Sequence, residues 1–158
     1  NSWLISSMLR DVIKLGTGRR AKVIGKKDLS GKTGTTNEQR DAWFSGYSSQ
    51  VATTVWVGFD KVAPLGRRET GAKAALPIWV SFMTGALANL EDNVPERPNG
   101  LVVVRIDRKS GKLSSVGNPS SVFEVFRESN VPTRERVSDY SPSEEGGQKG
   151  AIKLEQIF

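Results

Sequence analysis

The sequence predicts an α+β fold: an antiparallel sheet packed by helices, followed by a C-terminal hairpin and a flexible tail. Three observations carry this. Two stretches, one near each end of the first ninety residues, repeat apolar residues at three-and-four spacing. Between them lie short segments rich in Thr, Val and aromatic residues that alternate with period two. Beyond residue 131 the composition turns to Pro, Ser, Glu and Gly with few apolar residues, which cannot bury enough surface to order a chain.

In chain order, Ser2 to Leu15 is an amphipathic helix with Leu4, Ile5, Met8, Leu9, Val12 and Ile13 on its apolar face. Asn1 or Ser2 can cap its start, and Gly16 suits a left-handed end. A basic turn and the apolar pair Val23-Ile24 follow, and then a strand over Lys32 to Thr36. After the polar loop Asn37 to Arg40, Asp41–Tyr47 and Val51–Phe59 form a hairpin around Ser48-Ser49-Gln50. The second of these is apolar on both faces and reads as an inner strand, with Trp43, Phe44 and Trp56 in the core. A second helix runs from Ala74 or Pro77 to Leu90, with Trp79, Phe82, Met83, Ala86 and Leu90 on one side. Residues 1–92 make the compact part and 93–130 a linker with a small β extension. In that extension Leu101–Ile106 and Lys112–Val116 flank an Asp107-to-Gly111 turn, and Val122–Phe126 is a short edge segment. Residues 131–158 form the tail.

Composition bounds the chemistry. The 158 residues carry a net charge of +6, with no cysteine and no histidine. Disulfides, thiolate catalysis, a Ser-His-Asp triad and His- or Cys-ligated metal are therefore excluded, and any base is a lysine or a carboxylate. No metal and no cofactor is expected. The basic residues cluster at Arg19, Arg20, Lys22, Lys26 and Lys27. They read either as a solvated basic surface or as an attraction for an anionic partner. No apolar run is long enough for a membrane span. The chain opens inside a helical pattern, without an initiator Met or a leader, as a piece of a longer polypeptide does.

The central stretch is Ser30-Gly31-Lys32-Thr33-Gly34-Thr35-Thr36. A phosphate loop needs four residues between Gly and Gly-Lys-Ser/Thr, then a helix. Here five residues separate Gly25 from Gly31, and Thr-Gly-Thr-Thr is a poor helix start. A strand fits better, with Gly34 marking a close approach and the edge offering main-chain hydrogen bonds to an added peptide. On this reading Lys32 supplies a fixed positive charge, and the Thr33 and Thr35 hydroxyls can hold a carboxylate. Thr70 to Lys73 spells Thr-x-x-Lys but lies on the wrong side of the strand for a nucleophile-and-base motif.

With its flanks, the Lys-Thr-Gly triplet resembles the transpeptidase domain of class A penicillin-binding proteins. Those flanks are Thr35 to Tyr47 and Thr53 to Asp60, with Met8–Ile13 and Gly16–Ala21 upstream and Thr70–Trp79 downstream. The resemblance covers about Ser2 to Arg134. It implies part of the penicillin-binding protein/serine β-lactamase-like fold. It also implies a serine-type D-Ala-D-Ala transpeptidase that cross-links peptidoglycan stem peptides and is acylated by β-lactam antibiotics. In that picture Lys32 and Thr35 are catalytic, Lys32 through its charge and the Thr35 backbone N–H as an oxyanion-hole donor. Thr33, Gly34, Thr35, Thr36 and Asn37 bind substrate.

No Ser-x-x-Lys and no Ser-x-Asn occurs in the chain. The resemblance therefore assigns the nucleophile, its base lysine and the bridging serine to the remainder of a parent polypeptide. It expects a glycosyltransferase domain there too, and the fragment alone to be inactive. The expected location is the periplasmic face of the bacterial inner membrane, anchored through a segment outside this chain. Alternatives are a β-lactamase-like hydrolase and a non-enzymatic basic module for an anionic polymer. No nucleic acid partner is expected, because no recognition-helix or RNP-like pattern occurs.

Overall fold

A computed structural model describes residues 1–133, and the expected tail lies almost wholly outside them. The chain divides into two units, Asn1–Leu101 and Val102 onward.

In the first unit, helix α1 (Ser2–Lys14) leads through a 3₁₀ segment (Arg19–Ile24) to strand β1 (Ser30–Thr35). Strands β2 (Ala42–Tyr47) and β3 (Ala52–Val57) follow, then helix α2 (Ala75–Ala86). The strands form an antiparallel meander in the order β1-β2-β3, with the Lys-Thr-Gly strand at one side as expected. No helix begins after β1; a single 3₁₀ turn at Asn37–Gln39 carries the chain over to β2. The phosphate-loop reading therefore fails.

Alternation decides which residues meet. Ala42, Phe44 and Gly46 of β2 point to the side on which α2 packs, whereas Trp43, Ser45 and Tyr47 point away. The core lies on the first side, where Phe44 and Trp79 meet edge to face with ring centroids 4.9 Å apart. Leu76, Met83, Ala75 and Leu87 fill around them, with Ile13, Ala21 and Leu29 arriving from the N-terminal segment. The Trp79 indole N–H donates to the Thr53 carbonyl at 3.0 Å, so the buried ring leaves no unmet donor. Gly46 has to be glycine, because a Cβ there would stand 2.7 Å from the Trp79 ring and 2.9 Å from the Ser30 carbonyl oxygen. Asp28, nearly sealed from solvent, ties the β2–β3 turn by accepting from the N–H and hydroxyl of Ser49 at 2.9 and 2.8 Å. Burial pushes the Asp28 carboxyl up, but these donors outweigh it and hold it below its usual value.

Several expectations are corrected. Among the described residues strand β3 pairs with β2 alone, where an inner strand was expected, and its Ala52, Thr54 and Trp56 face is exposed. Trp43 and Trp56 are accordingly 40% and 45% exposed, and of the three aromatics assigned to the core only Phe44 is buried. The two indoles pack on one another across the open face, 6.1 Å between centroids. In α1, Ile13 is buried but Ile5 and Met8 are exposed, and Arg10 takes a buried position instead. Gly16 is not left-handed; it is needed because a Cβ would press on the Val12 backbone at 2.9 Å. In α2, Phe82 points outward, since the side that contains Trp79 and Met83 is already turned to the core.

In the second unit, β4 (Leu101–Asp107) pairs with β5 (Ser121–Arg127), the segment expected as a separate short edge. The expected partner, Lys112–Val116, makes one bridge, Ile106 to Leu113. The Asp107–Gly111 turn itself forms, with Gly111 left-handed at φ 69°. Beyond this bridge the Asn118 amide donates to Asp107 at 2.9 Å and to the Ser114 hydroxyl at 3.0 Å, and the Leu113 N–H donates to the Thr133 carbonyl at 3.2 Å.

Asp107 also accepts from the Lys109 and Ser110 N–H groups and the Ser110 hydroxyl. The Ser110 N–H and the Asn118 amide are the main causes that hold its carboxyl at about 2, against an ordinary 3.8. Because the folded value is the lower one, the stability it contributes is complete above 3.8 and disappears as pH falls to about 2. Protection of the Lys109 and Ser110 amides, measured against their intrinsic exchange rate at each pH, is therefore expected to fall across that window. In Asp107→Asn it is expected to be low on both sides of it.

Candidate active site

Every expected site residue lies on β1 or on the turn that follows it. Lys32 and Thr35 are exposed, Thr33 and Gly34 half-buried, and Thr36 and Asn37 exposed. What β1 offers follows from its hydrogen-bond pattern. The Thr36 N–H donates to the Asp41 carbonyl at 3.1 Å. Opposed residues of an antiparallel pair alternate between exchanging both bonds and exchanging none. With the register Thr35↔Ala42 and Gly34↔Trp43, the main-chain groups of Gly34 and Lys32 turn toward β2. Those of Thr35, Thr33 and Gly31 turn the other way, toward an edge that carries no strand in this sheet. The Lys32 ammonium is at that edge as well, donating to the Thr33 carbonyl at 3.0 Å.

Side chains divide by the same rule. Lys32 and Gly34 share the open face with Ser45, Trp43, Thr54 and Trp56. A cavity of about 380 Å³ opens there, lined by Lys32, Ser45, Tyr47, Ala52 and Thr54 with Leu9 from α1. Gly34 is tight against its neighbour: a Cβ would approach the Trp43 Cβ at 3.1 Å.

The threonine hydroxyls have protein partners that the sequence did not disclose. Thr33 shares a hydrogen bond with Thr17, oxygen to oxygen 2.9 Å. The Thr35 hydroxyl oxygen accepts from the Gly71 N–H at 3.0 Å, which leaves its own proton free to donate. The Thr36 hydroxyl accepts from the Asp41 N–H at 2.8 Å and fixes the turn, while Asp41 also accepts from the Trp56 indole at 2.9 Å. Thr36 is thus engaged in the turn, and Asn37 stands just beyond it in the 3₁₀ segment. Thr17 sits inside a Gly-Thr-Gly run that marks it as notable, but its contact is sixteen residues away in sequence and has no local signature.

An exposed ammonium beside a free strand edge, with hydroxyls fixed along it, suits a peptide bound in extended form by its main chain and by a carboxylate. The chain is 48% identical over 131 residues to penicillin-binding protein 1A of Pseudomonas aeruginosa, a match that covers 83% of the chain. It belongs to the penicillin-binding protein 1A family. The Neisseria meningitidis member is 34% identical over 151 residues, 96% of the chain. The crystal structure of penicillin-binding protein 1A from Haemophilus influenzae superposes with a TM-score of 0.76 at 36% identity over 84% of the chain. The antiparallel sheet and helices described above are thus part of the penicillin-binding transpeptidase fold. No protein-family model matches. The chain spans 16–19% of the length of these curated relatives and 21% of the crystallised one.

Proposed function

We propose that this chain is the Lys-Thr-Gly wall of a serine D-Ala-D-Ala transpeptidase site, completed by the remaining length that its relatives have. The single observation that carries the reading is the free edge of β1, where Thr33 and Thr35 turn their main-chain groups outward beside the exposed Lys32 ammonium.

A peptidoglycan stem peptide lies along this edge as an added strand. Its terminal carboxylate meets Lys32 and the hydroxyls of Thr33 and Thr35, with Gly34, Thr36 and Asn37 bordering the pocket. A serine from the rest of the polypeptide attacks the penultimate D-Ala carbonyl, and its proton passes to a lysine base. The Thr35 N–H receives the oxyanion, a contact worth ~3–4 kcal/mol where such donors have been removed. Collapse of the tetrahedral species expels D-Ala and leaves an acyl-serine. An amine of a neighbouring stem then attacks, forming the cross-link and restoring the hydroxyl. β-Lactams acylate the same serine. The remainder of the polypeptide also covers the open face around Trp43 and Trp56, anchors the protein at the periplasmic side of the inner membrane, and contains a glycosyltransferase domain.

The experiment is covalent labelling with a fluorescent penicillin. The full-length protein (this segment with the length its relatives have) is expected to retain the label through denaturing electrophoresis, and the 158-residue chain alone to take none. An unlabelled full-length protein would sink the reading. Rapid release of hydrolysed penicillin would turn it toward a β-lactamase-like hydrolase.

A further inference from the structure

On α1, away from the Lys-Thr-Gly edge, Arg10 is only 6% exposed yet has neither a hydrogen bond nor an ion pair among the described residues. Its guanidinium lies over the Trp3 ring, 5.4 Å from the centroid. No fully sealed side-chain nitrogen in the described residues lacks a partner, so each of its unpaired nitrogens still opens onto accessible space. Arg10 also lines a cavity of about 480 Å³, together with Lys14, Lys22, Lys26 and Lys27. Ile13 and Leu29 give it apolar wall.

The charges do not balance. Of the five cations, Lys26 pairs with Asp92 at 3.9 Å, and the other four have no carboxylate partner among the described residues. Asp92 is further occupied by the Lys27 N–H at 3.0 Å. A guanidinium taken out of water without an anion is a costly arrangement, and an aromatic face offsets only part of the cost. Lys14, Lys22 and Lys27 are exposed and solvated, so the unmet demand is that of Arg10, and an anion with several acceptor oxygens would meet its fork while drawing in the ammoniums around it. Arginine's rigid fork of donors matches tetrahedral phosphate oxygens, and flexible ammoniums around it complete such a shell.

We propose that this cavity is an anion-binding site that takes a phosphoryl group, held by Arg10 at its floor and by Lys14, Lys22 and Lys27 at its rim. Its volume of about 480 Å³ has room for a phosphoryl group together with part of the molecule that carries it, either a soluble phosphate ester or an anionic lipid headgroup. The site is independent of the acyl-transfer edge.

The test is titration of the full-length protein (this segment with the length its relatives have) with inorganic pyrophosphate, followed by calorimetry. Saturable binding with a Kd under about 1 mM is expected. Arg10→Gln is expected to weaken binding about tenfold or more, and Lys61→Gln, in an exposed basic loop, to leave it unchanged. Should Arg10→Gln fail to fold, Lys14→Gln/Lys22→Gln, which alters two exposed rim residues, is expected to produce the same loss. Sedimentation with phosphatidylglycerol vesicles but not phosphatidylcholine, competed by pyrophosphate, identifies a lipid headgroup; pyrophosphate binding without sedimentation identifies a soluble ester. Non-saturating binding, or equal weakening in Lys61→Gln, overturns the site in favour of a diffuse basic surface.

Discussion

Lys32→Ala is expected to slow acylation of the full-length protein by a fluorescent penicillin ~10²–10³-fold, the loss typical of removing one preorganised charge-stabilising group. The effect should appear in the second-order acylation rate and leave folding intact, because Lys32 is exposed and its ammonium hydrogen-bonds only to Thr33 among the described residues. Two contributions disappear together. The carboxylate end of the ligand loses its counter-charge, and the β1 edge loses the cation fixed over the Thr33 carbonyl. Lys32→Arg keeps the charge but spreads it over a planar fork, so recovery should be partial. An alanine variant that is acylated within about twofold of the unsubstituted protein would remove Lys32 from the site.

Gly71→Ala is the second large effect, and it links stability to the same strand. A Cβ on Gly71 would stand 2.2 Å from the Trp43 carbonyl oxygen and 2.5 Å from that of Gly34, both backbone atoms that cannot rotate away. One of the two paired strands, or the segment leading to α2, must shift. Overpacking of this kind costs ~1–3 kcal/mol and here belongs at the upper end or beyond. The Gly71 N–H would move off the Thr35 hydroxyl that it holds at 3.0 Å, so acylation should fall along with the denaturation midpoint. Gly85→Ala is the matched comparison: nothing lies within 4 Å of its added methyl, and the helix should gain ~0.4–1 kcal/mol. Equal midpoints for the two variants would refute the close approach of Gly71.

Legibility in the sequence follows the range of the interactions. The Lys-Thr-Gly strand, its hairpin and the helix with Trp79 rest on local periodicity and turn residues, and all three form. The aromatic error was avoidable in principle, because neighbouring residues of a strand point to opposite faces: Phe44 and Trp43 cannot both enter one core. Aromatic character alone points Trp43 and Trp56 inward, yet their rings pack on one another on the open face and stay 40% and 45% exposed. Thr17, Gly71 and Arg10 were beyond reach for another reason. Their roles come from partners or a cavity distant in sequence, and nothing in their immediate neighbours encodes those encounters. At Lys112–Val116 the turn signal holds but the strand does not: pairing goes no further than the Ile106–Leu113 bridge, and it is β5 that forms the ladder with β4.

The edge of β1 presents a main-chain donor and acceptor only at every second residue, at Thr33 and Thr35, since Gly31 is buried. Such an edge works as a ruler whose graduations are about 6.8 Å apart. A guest chain can slip along it by two residues but not by one, since a single step would set donor against donor and invert every side chain. On the proposed transpeptidase reading, a peptide held at this edge by its carboxyl terminus would be positioned in whole graduations.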